Sequence, residues 1–210
     1  MLRVLIADDH PVIRRGIRHI LEEIVDTVEA DEVSDGCGVI EHIARKPYDI
    51  VLLDLSMPDM NGIDILKQIK ITHPCLPVLI LSIHREELYA IRALRAGASG
   101  YLTKEIAPEA LVSAIRTIMG GEKYINPSLA QKLAFEIDDF SHKKLHTSLS
   151  DRELQVLQFI ASGKTVKEAA DAMHLSAKTV STYRTRILEK LNLKNNAEIT
   201  CYAIKEDLVV

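Results

Sequence analysis

An α/β domain built on a doubly wound, five-stranded parallel sheet, joined to a smaller all-α domain of four helices, is the fold class this 210-residue chain predicts. Three observations lead to it. Over roughly the first 125 residues, short aliphatic or β-branched runs alternate with stretches whose apolar residues recur at helical spacing. After residue 148 the strand signal disappears and only helical periodicity remains. Between them lies a stretch mixing Gly, Pro, Ser and charge, the composition of a linker.

The strand candidates, in order, are LRVLIA (2–7), the weaker TVEADEV (27–33), YDIVLLDL (48–55), LPVLILS (76–82) and ASGYLT (98–103). Ile13, Ile17, Ile20 and Ile24 follow the first at helical spacing, as Leu111, Ile115 and Ile118 follow the fifth. Apolar strands alternating with helices read as a parallel sheet covered on both faces. Such sheets hold ligands at the carboxyl ends of their strands. From GGEKYINPS to EIDDFSHKKLHTS the only regular signal is a short helix at Ser128–Phe135. Four helical segments then follow, at about 150–162, 165–173, 177–191 and 195–206. Ser150 and Glu153 form a capping box, Gly163 closes the first helix, and Ser176 is placed to cap the third. The expected division is a first domain at 1–120, a linker at 121–148 and a helical domain at 149–210.

Hydrophobic residues make up 47% and charged residues 27%, enough apolar material for two ordinary soluble cores. The net charge of −4 conceals an asymmetry. Residues 1–125 carry 14 Lys/Arg against 19 Asp/Glu, whereas residues 146–210 carry 9 against 8. Within 175–195, five bases (Lys178, Arg184, Arg186, Lys190, Lys194) face one acid, Glu189, so the two halves should have different partners. Cys37, Cys75 and Cys201 are few and far apart, which argues against a disulfide framework or a zinc site. They are expected as small buried apolar residues. The apolar run in MLRVLIADDH is too short for a signal-peptide core, and no stretch approaches the ~18 apolar residues of a membrane span. The expected compartment is the cytoplasm, with no membrane partner.

Asp8 and Asp9 end the first strand, Asp54 the third and Ser82 the fourth, and Lys104 follows the fifth. All should converge on one rim of the sheet. Three carboxylates at one point repel each other and call for a cation. All-oxygen ligands indicate a hard ion, and Mg²⁺ suits a site that keeps waters for an incoming phosphoryl group. Lys104 adds positive charge, and Ser82 offers a hydroxyl to a phosphoryl oxygen. Asp9, two residues before Pro11, also fits a cap of the first helix.

Asp8-Asp9, Asp54 within LLDLSMPDMNG, Ser82, and Tyr101 with Lys104 resemble the receiver domain of two-component response regulators, a flavodoxin-like fold, over residues 1 to about 120. The resemblance implies that Asp54 takes a phosphoryl group from a histidine kinase and forms an acyl phosphate. It implies Mg²⁺ bound by Asp9, Asp54 and the backbone carbonyl of Ser56, with Asp8 acting through water, and Pro58 and Gly62 shaping the loop. It makes Ser82 and Tyr101 a switch, the aromatic ring moving inward as the hydroxyl moves toward the phosphate. Many receivers follow the lysine with a cis proline. Here Glu105 follows Lys104, and a cis bond there would cost ~2.5–4 kcal/mol, so that geometry does not carry over.

The segment from Leu149 almost to the terminus resembles the LuxR-type helix-turn-helix of the NarL/FixJ subfamily. The matching pieces are Arg152-Glu153, Gly163, Lys167-Glu168-Ala169-Ala170, Leu175-Ser176 and Lys178-Thr179-Val180. It implies a third helix in the DNA major groove. Val180, Ile187 and Leu191, with Leu188 beside them, should face the core, leaving Lys178, Thr179, Ser181, Thr182, Arg184, Thr185 and Arg186 for DNA. Ala197, Ile199, Ala203 and Ile204 of the last helix are expected as a self-association face, although packing within the domain would use some of the same residues. The implied partners are a cognate histidine kinase, promoter DNA with paired half-sites, a second copy of the chain once phosphorylated, and RNA polymerase as one further candidate.

An enzyme of haloacid-dehalogenase type also uses a strand-end aspartate with Mg²⁺, but Ser56 stands where its second aspartate is needed. A nucleotide-binding flavodoxin-like module would need a Gly-rich loop where DDHP stands. An orphan regulator independent of phosphate is the third alternative, disfavoured by the intact acidic pocket. The chain is therefore expected to be no enzyme beyond its own phosphorylation and dephosphorylation.

Overall fold

Five parallel strands, β1 (Leu2–Ala7), β2 (Val28–Val33), β3 (Ile50–Asp54), β4 (Val78–Ser82) and β5 (Gly100–Thr103), form one sheet in the order β2-β1-β3-β4-β5. This computed structural model describes residues 1–24, 27–82, 86–104, 108–126, 130, 145–206 and 208–209. Its two compact units, Met1–Asp138 and Asp139–Val210, divide inside the segment expected as a linker.

In the first unit, helices α1 (Pro11–Ile24), α2 (Gly36–Arg45), α3 (Gly62–Thr72), α4 (Glu86–Arg95) and α5 (Pro108–Met119) alternate with the strands. β3 and β4 are buried at every residue, so their sequences read as unbroken apolar runs. β2 lies at the edge and only Val33 is buried, which is why TVEADEV carries a weak signal. Its acids have local partners instead: Lys46 Nζ lies 2.6 Å from Glu29 and 2.7 Å from Asp31, and Tyr48 donates to Asp31 at 2.6 Å. One face of the sheet packs Val4, Ile6, Ile50, Leu52, Leu79 and Leu81 against Ile17 and Leu21 of α1 and Leu111, Ile115 and Ile118 of α5. Each such side chain contributes about 1.5–3 kcal/mol on burial. The alternate residues Leu5, Val51, Leu53, Ile80 and Tyr101 are buried on the opposite face.

Among the described residues, the second unit has a 3₁₀ turn (Leu145–Ser148) and four helices: α6 (Asp151–Ala161), α7 (Val166–Ala172), α8 (Ala177–Leu191) and α9 (Asn196–Lys205). Ser150 and Glu153 form the expected capping box, Ser176 accepts the Thr179 N–H, and Gly163 ends α6 at φ +83°. A second capping box, Thr165 with Glu168, starts α7. Leu154, Leu157, Ile160, Val180, Ile187, Leu191, Ile199 and Ala203 are buried in this unit.

Glu153 joins the first and third helices of this unit. Its carboxylate accepts the Ser150 N–H and pairs with Lys190 Nζ at 2.6 Å, although its own side chain is only 2% exposed. Burial opposes ionisation, but Lys190 and the Ser150 donors outweigh it and hold the carboxyl below its ordinary value. A depressed folded pKa stabilises fully above the unfolded value of 4.5 and is lost as pH falls through the folded value. Glu153→Gln is therefore expected to destabilise this unit by about 1–3 kcal/mol at neutral pH. Urea unfolding across a pH series checks it: the gap between variant and wild type should close below pH 4.5. A gap independent of pH contradicts the ionic assignment.

Several expectations need correction. Cys37, Cys75 and Cys201 are all exposed free thiols, because they lie on helix surfaces or in a loop. Ile199 and Ala203 are fully buried in their own unit, so of the residues expected for self-association only Ala197 and Ile204 stay exposed. Both ends of the span read as linker are tied down. The Tyr124 N–H bonds the Ser99 carbonyl at 2.9 Å and Tyr124 bridges Gly100, while the His146 N–H bonds the Tyr202 hydroxyl at 3.2 Å. The helix expected at Ser128–Phe135 falls outside the described residues except for Ala130.

Candidate functional site

The strand register brings the candidate residues to one rim. Ala7 is level with Leu53, Asp54 with Leu81 and Ser82 with Thr103, so the chain leaves all four strands on the same edge, each end close to its neighbour's. Asp8, Asp54 and Ser82 are buried to within 1%. Lys104 Nζ lies 2.7 Å from Asp8 Oδ2 and 2.7 Å from Asp54 Oδ2, with the lysine side chain 6% exposed. Asp8 Oδ1 accepts the His10 N–H at 2.8 Å, and His10 Nδ1 contacts Asp9 Oδ1. The capping alternative for Asp9 thus gives way to a turn held by Asp8.

One lysine does not satisfy this pocket. Asp8 Oδ2, Asp9 Oδ1 and both Asp54 side-chain oxygens are buried with no partners beyond the ion-pair contacts to Lys104 and His10 and, for Asp54, the Ser56 backbone. Burial pushes the Asp54 carboxyl up, Lys104 opposing it and Asp8 adding to it. Burial favours neutral Lys104, but Asp54 and then Asp8 outweigh it and hold the ammonium above its ordinary value. Ligand atoms of Asp8, Asp9, His10 and Asp54 lie within 4.8 Å of one another. Buried, under-satisfied carboxylate oxygens at this spacing fit a hard divalent cation such as Mg²⁺.

The surrounding loops fix the pocket. A Cβ on Gly62 would sit 2.5 Å from both the Asp54 carbonyl oxygen and the Leu55 Cα, so only glycine lets α3 approach the loop this closely. Asn61 caps α3 through the Ile63 N–H at 2.8 Å. Asp59 accepts the Gly36 and Cys37 N–H groups at 2.7 and 2.9 Å, tying the same loop to the start of α2. Arg14 donates to the Asp8 carbonyl at 2.6 Å, and Glu32 holds both Arg14 (3.1 Å) and Arg18 (2.7 Å).

In the second unit α8 presents two faces. Val180, Ile187 and Leu191 are buried, while Lys178, Ser181, Thr182, Thr185 and Arg186 are exposed. Among the described residues, neither Lys178 nor Arg186 has an ion-pair partner. Thr179 belongs to the cap, its hydroxyl 2.8 Å from Ser176 Oγ. Arg184 points to the start of α9, with Nε donating to Asn196 Oδ1 at 2.5 Å.

Residues 4–116 match the response regulator receiver domain, and residues 147–203 match the bacterial regulatory proteins of the luxR family. Response regulator UvrY of Escherichia coli K12 is 37% identical over 209 residues, covering 99% of this chain and 96% of UvrY. The chain belongs to the NarL/FixJ family of two-component response regulators. Its members act as transcription regulators through the LuxR-type domain. Salmonella enterica RcsB, solved bound to promoter rprA with the phosphomimetic BeF3-, matches at a TM-score of 0.63 and 28% identity over 96% of this chain and 98% of RcsB. A structure of two RcsB dimers on two parallel DNAs matches at 0.60 and 30% identity, over 96% of this chain and 97% of that one.

Within this NarL/FixJ chain, Lys104 contacts Asp8 and Asp54, Asp9 lies beside them, and Ser82 ends the neighbouring strand β4. Tyr101 is 1% exposed on β5, and the Lys104 N–H bonds the Ser82 carbonyl at 2.8 Å. The Lys104–Glu105 peptide lies outside the described residues, because Glu105 does. Asp59, Arg14 and Glu32 were not foreseen. Their partners lie 6 to 23 residues away, and no local pattern announces such pairs. The Thr165/Glu168 box was readable as a capping motif. No helix among the described residues is long and apolar enough to cross a membrane.

Proposed function

We propose that this regulator is switched by phosphorylation of Asp54 and reads promoter DNA with α8. The buried Asp54 carboxylate beside Lys104, with two further acids at the same strand ends, carries this reading. A carboxylate oxygen of Asp54 attacks the phosphorus of a histidine-kinase phosphohistidine. The phosphorus–nitrogen bond breaks as the acyl phosphate forms, and the kinase histidine leaves. Lys104 pairs with a phosphoryl oxygen, and the Ser82 hydroxyl donates to another, the Tyr101 ring being already buried beside this rim. Asp9, Asp54 and the Ser56 carbonyl would hold Mg²⁺, with Asp8 beside them. A divalent ion bound there would supply positive charge opposite the phosphoryl oxygens. The chain's own catalysis is limited to this transfer and to hydrolysis of the acyl phosphate.

The phosphorylated form pairs with a second copy, and two α8 helices engage paired half-sites, each raising the other's effective concentration. RcsB dimers on DNA support this arrangement. Contact with RNA polymerase follows from action at promoters, and promoter DNA makes the cytoplasm the working compartment. Incubation with acetyl phosphate and Mg²⁺ is expected to retard the wild-type chain on a phosphate-affinity gel, and chelation of Mg²⁺ to stop it. An unretarded wild type contradicts the reading.

On α8, Lys178 and Arg186 hold DNA phosphates, whereas Ser181, Thr182 and Thr185 meet base edges. Thr179 and Arg184 support the helix ends and lie within reach of the backbone. Lys178→Ala and Arg186→Ala are each expected to weaken binding to specific and scrambled duplexes alike. Each should lower the salt slope by about one counterion. Binding titrations across a salt series check this. Loss of specific binding alone, at an unchanged slope, contradicts the division of roles.

A further inference from the structure

Thr182 and Thr185 are exposed on α8, yet their hydroxyl hydrogens are already engaged. Thr182 Oγ1 donates to the Lys178 carbonyl at 3.0 Å, and Thr185 Oγ1 donates to the Ser181 carbonyl at 3.1 Å. A carbonyl oxygen only accepts, so in both pairs the hydrogen lies between the two oxygens, the back-bonding that helical threonines commonly adopt. Each threonine therefore turns an oxygen lone pair and a methyl group outward. Ser181, on the same face, differs: no hydrogen bond of its side chain is found among the described residues, so its rotor can donate or accept.

The major groove offers few complements to a fixed acceptor. Its only hydrogen-bond donors are the adenine N6 and cytosine N4 amines. Guanine N7 and O6, adenine N7 and thymine O4 are acceptors, and facing one of them would require breaking the back-bond. Every base pair carries one such amine, so an acceptor-only side chain distinguishes where across the groove the amine lies. The adjoining methyl favours an apolar neighbour such as the thymine methyl.

We propose that Thr182 and Thr185 are acceptor-only specificity residues, each accepting from a base amine, adenine N6 or cytosine N4, in the half-site. This rests on the reading that α8 lies in the major groove. It assigns the chemistry of two contacts and separates them from Ser181, whose preference is left open by its free rotor.

The test begins with duplexes selected from a random pool by the full-length chain with beryllofluoride and Mg²⁺. Selections with Thr182→Val and Thr185→Val, which keep the methyl and the shape but remove the acceptor, mark the base pairs each threonine governs. At those pairs, purine replaces adenine or pyrimidin-2-one replaces cytosine, which deletes only the amine. Wild-type affinity is expected to fall about 5- to 150-fold, while the matching valine variant is insensitive to the deletion. The proposal is overturned if wild type tolerates loss of the amine, or if the valine variant is as sensitive as wild type. Lys178→Ala and Arg186→Ala separate this from failure of the underlying reading. Unchanged salt slopes in both would remove α8 from the DNA, whereas lowered slopes with an amine-indifferent wild type would sink the acceptor assignment alone.

Discussion

Asp54→Asn is expected to lower labelling by acetyl phosphate and Mg²⁺ at least about 100-fold, equivalent to ~2.7 kcal/mol or more of activation free energy. Asparagine keeps the shape of the fully buried side chain and removes the nucleophilic oxygen. The same change should not cost stability. Burial raises the Asp54 pKa, so ionising this group destabilises the folded state as pH rises above the ordinary value of 3.8. The neutral carboxamide of the variant escapes that penalty, and Lys104 keeps Asp8 as a partner at 2.7 Å, so without divalent cation the variant is expected to unfold at equal or higher urea than wild type at neutral pH. A phosphate-affinity gel and a urea titration on the same samples separate the two effects. Retained labelling would show that another side chain is the acceptor. Lost labelling with a collapsed urea midpoint would mean only that the fold had failed.

Gly62→Ala should have the opposite signature, with stability and site failing together. The added Cβ would lie 2.5 Å from two backbone atoms of the Asp54–Leu55 segment, and backbone cannot swing aside as a flexible side chain can. Either α3 retreats or the loop after Asp54 shifts, at an expected cost of about 2–4 kcal/mol. Because Asn61 caps α3 and Asp59 anchors α2 from the same loop, the displacement should reach the Ser56 carbonyl and weaken Mg²⁺ binding. Urea unfolding and isothermal titration with Mg²⁺ check both parts. A variant with the wild-type midpoint and Mg²⁺ affinity would show that the loop absorbs the methyl group freely.

Much of this was legible in the sequence because its signals are local. Buried parallel strands must be apolar throughout, so Ile50–Leu53 and Val78–Leu81 announce themselves, and the polar residue ending each run marks the rim. The helices of the second unit were readable from Ser150, Gly163 and Ser176, where capping chemistry leaves little choice of residue. What stayed hidden is held by distant partners. Arg14 on the Asp8 carbonyl, Asp59 on the start of α2, and the division of α9 between an inner and an outer face all depend on packing. An edge strand such as β2, with charged residues paired to Lys46, weakens its own pattern. The exposed cysteines show the converse, since residue type alone favours burial but helix phase places Cys37 and Cys201 outward.

The link between the two units is tested most directly by measuring mass and promoter binding together, with and without beryllofluoride. Light scattering on the full chain with Mg²⁺ is expected to give a monomer alone and a dimer with the phosphate mimic. The mimic should also tighten binding to duplexes bearing two half-sites, and Asp54→Asn should show neither response. A monomer mass in both states, with promoter affinity unchanged by the mimic, would contradict control of DNA binding through Asp54.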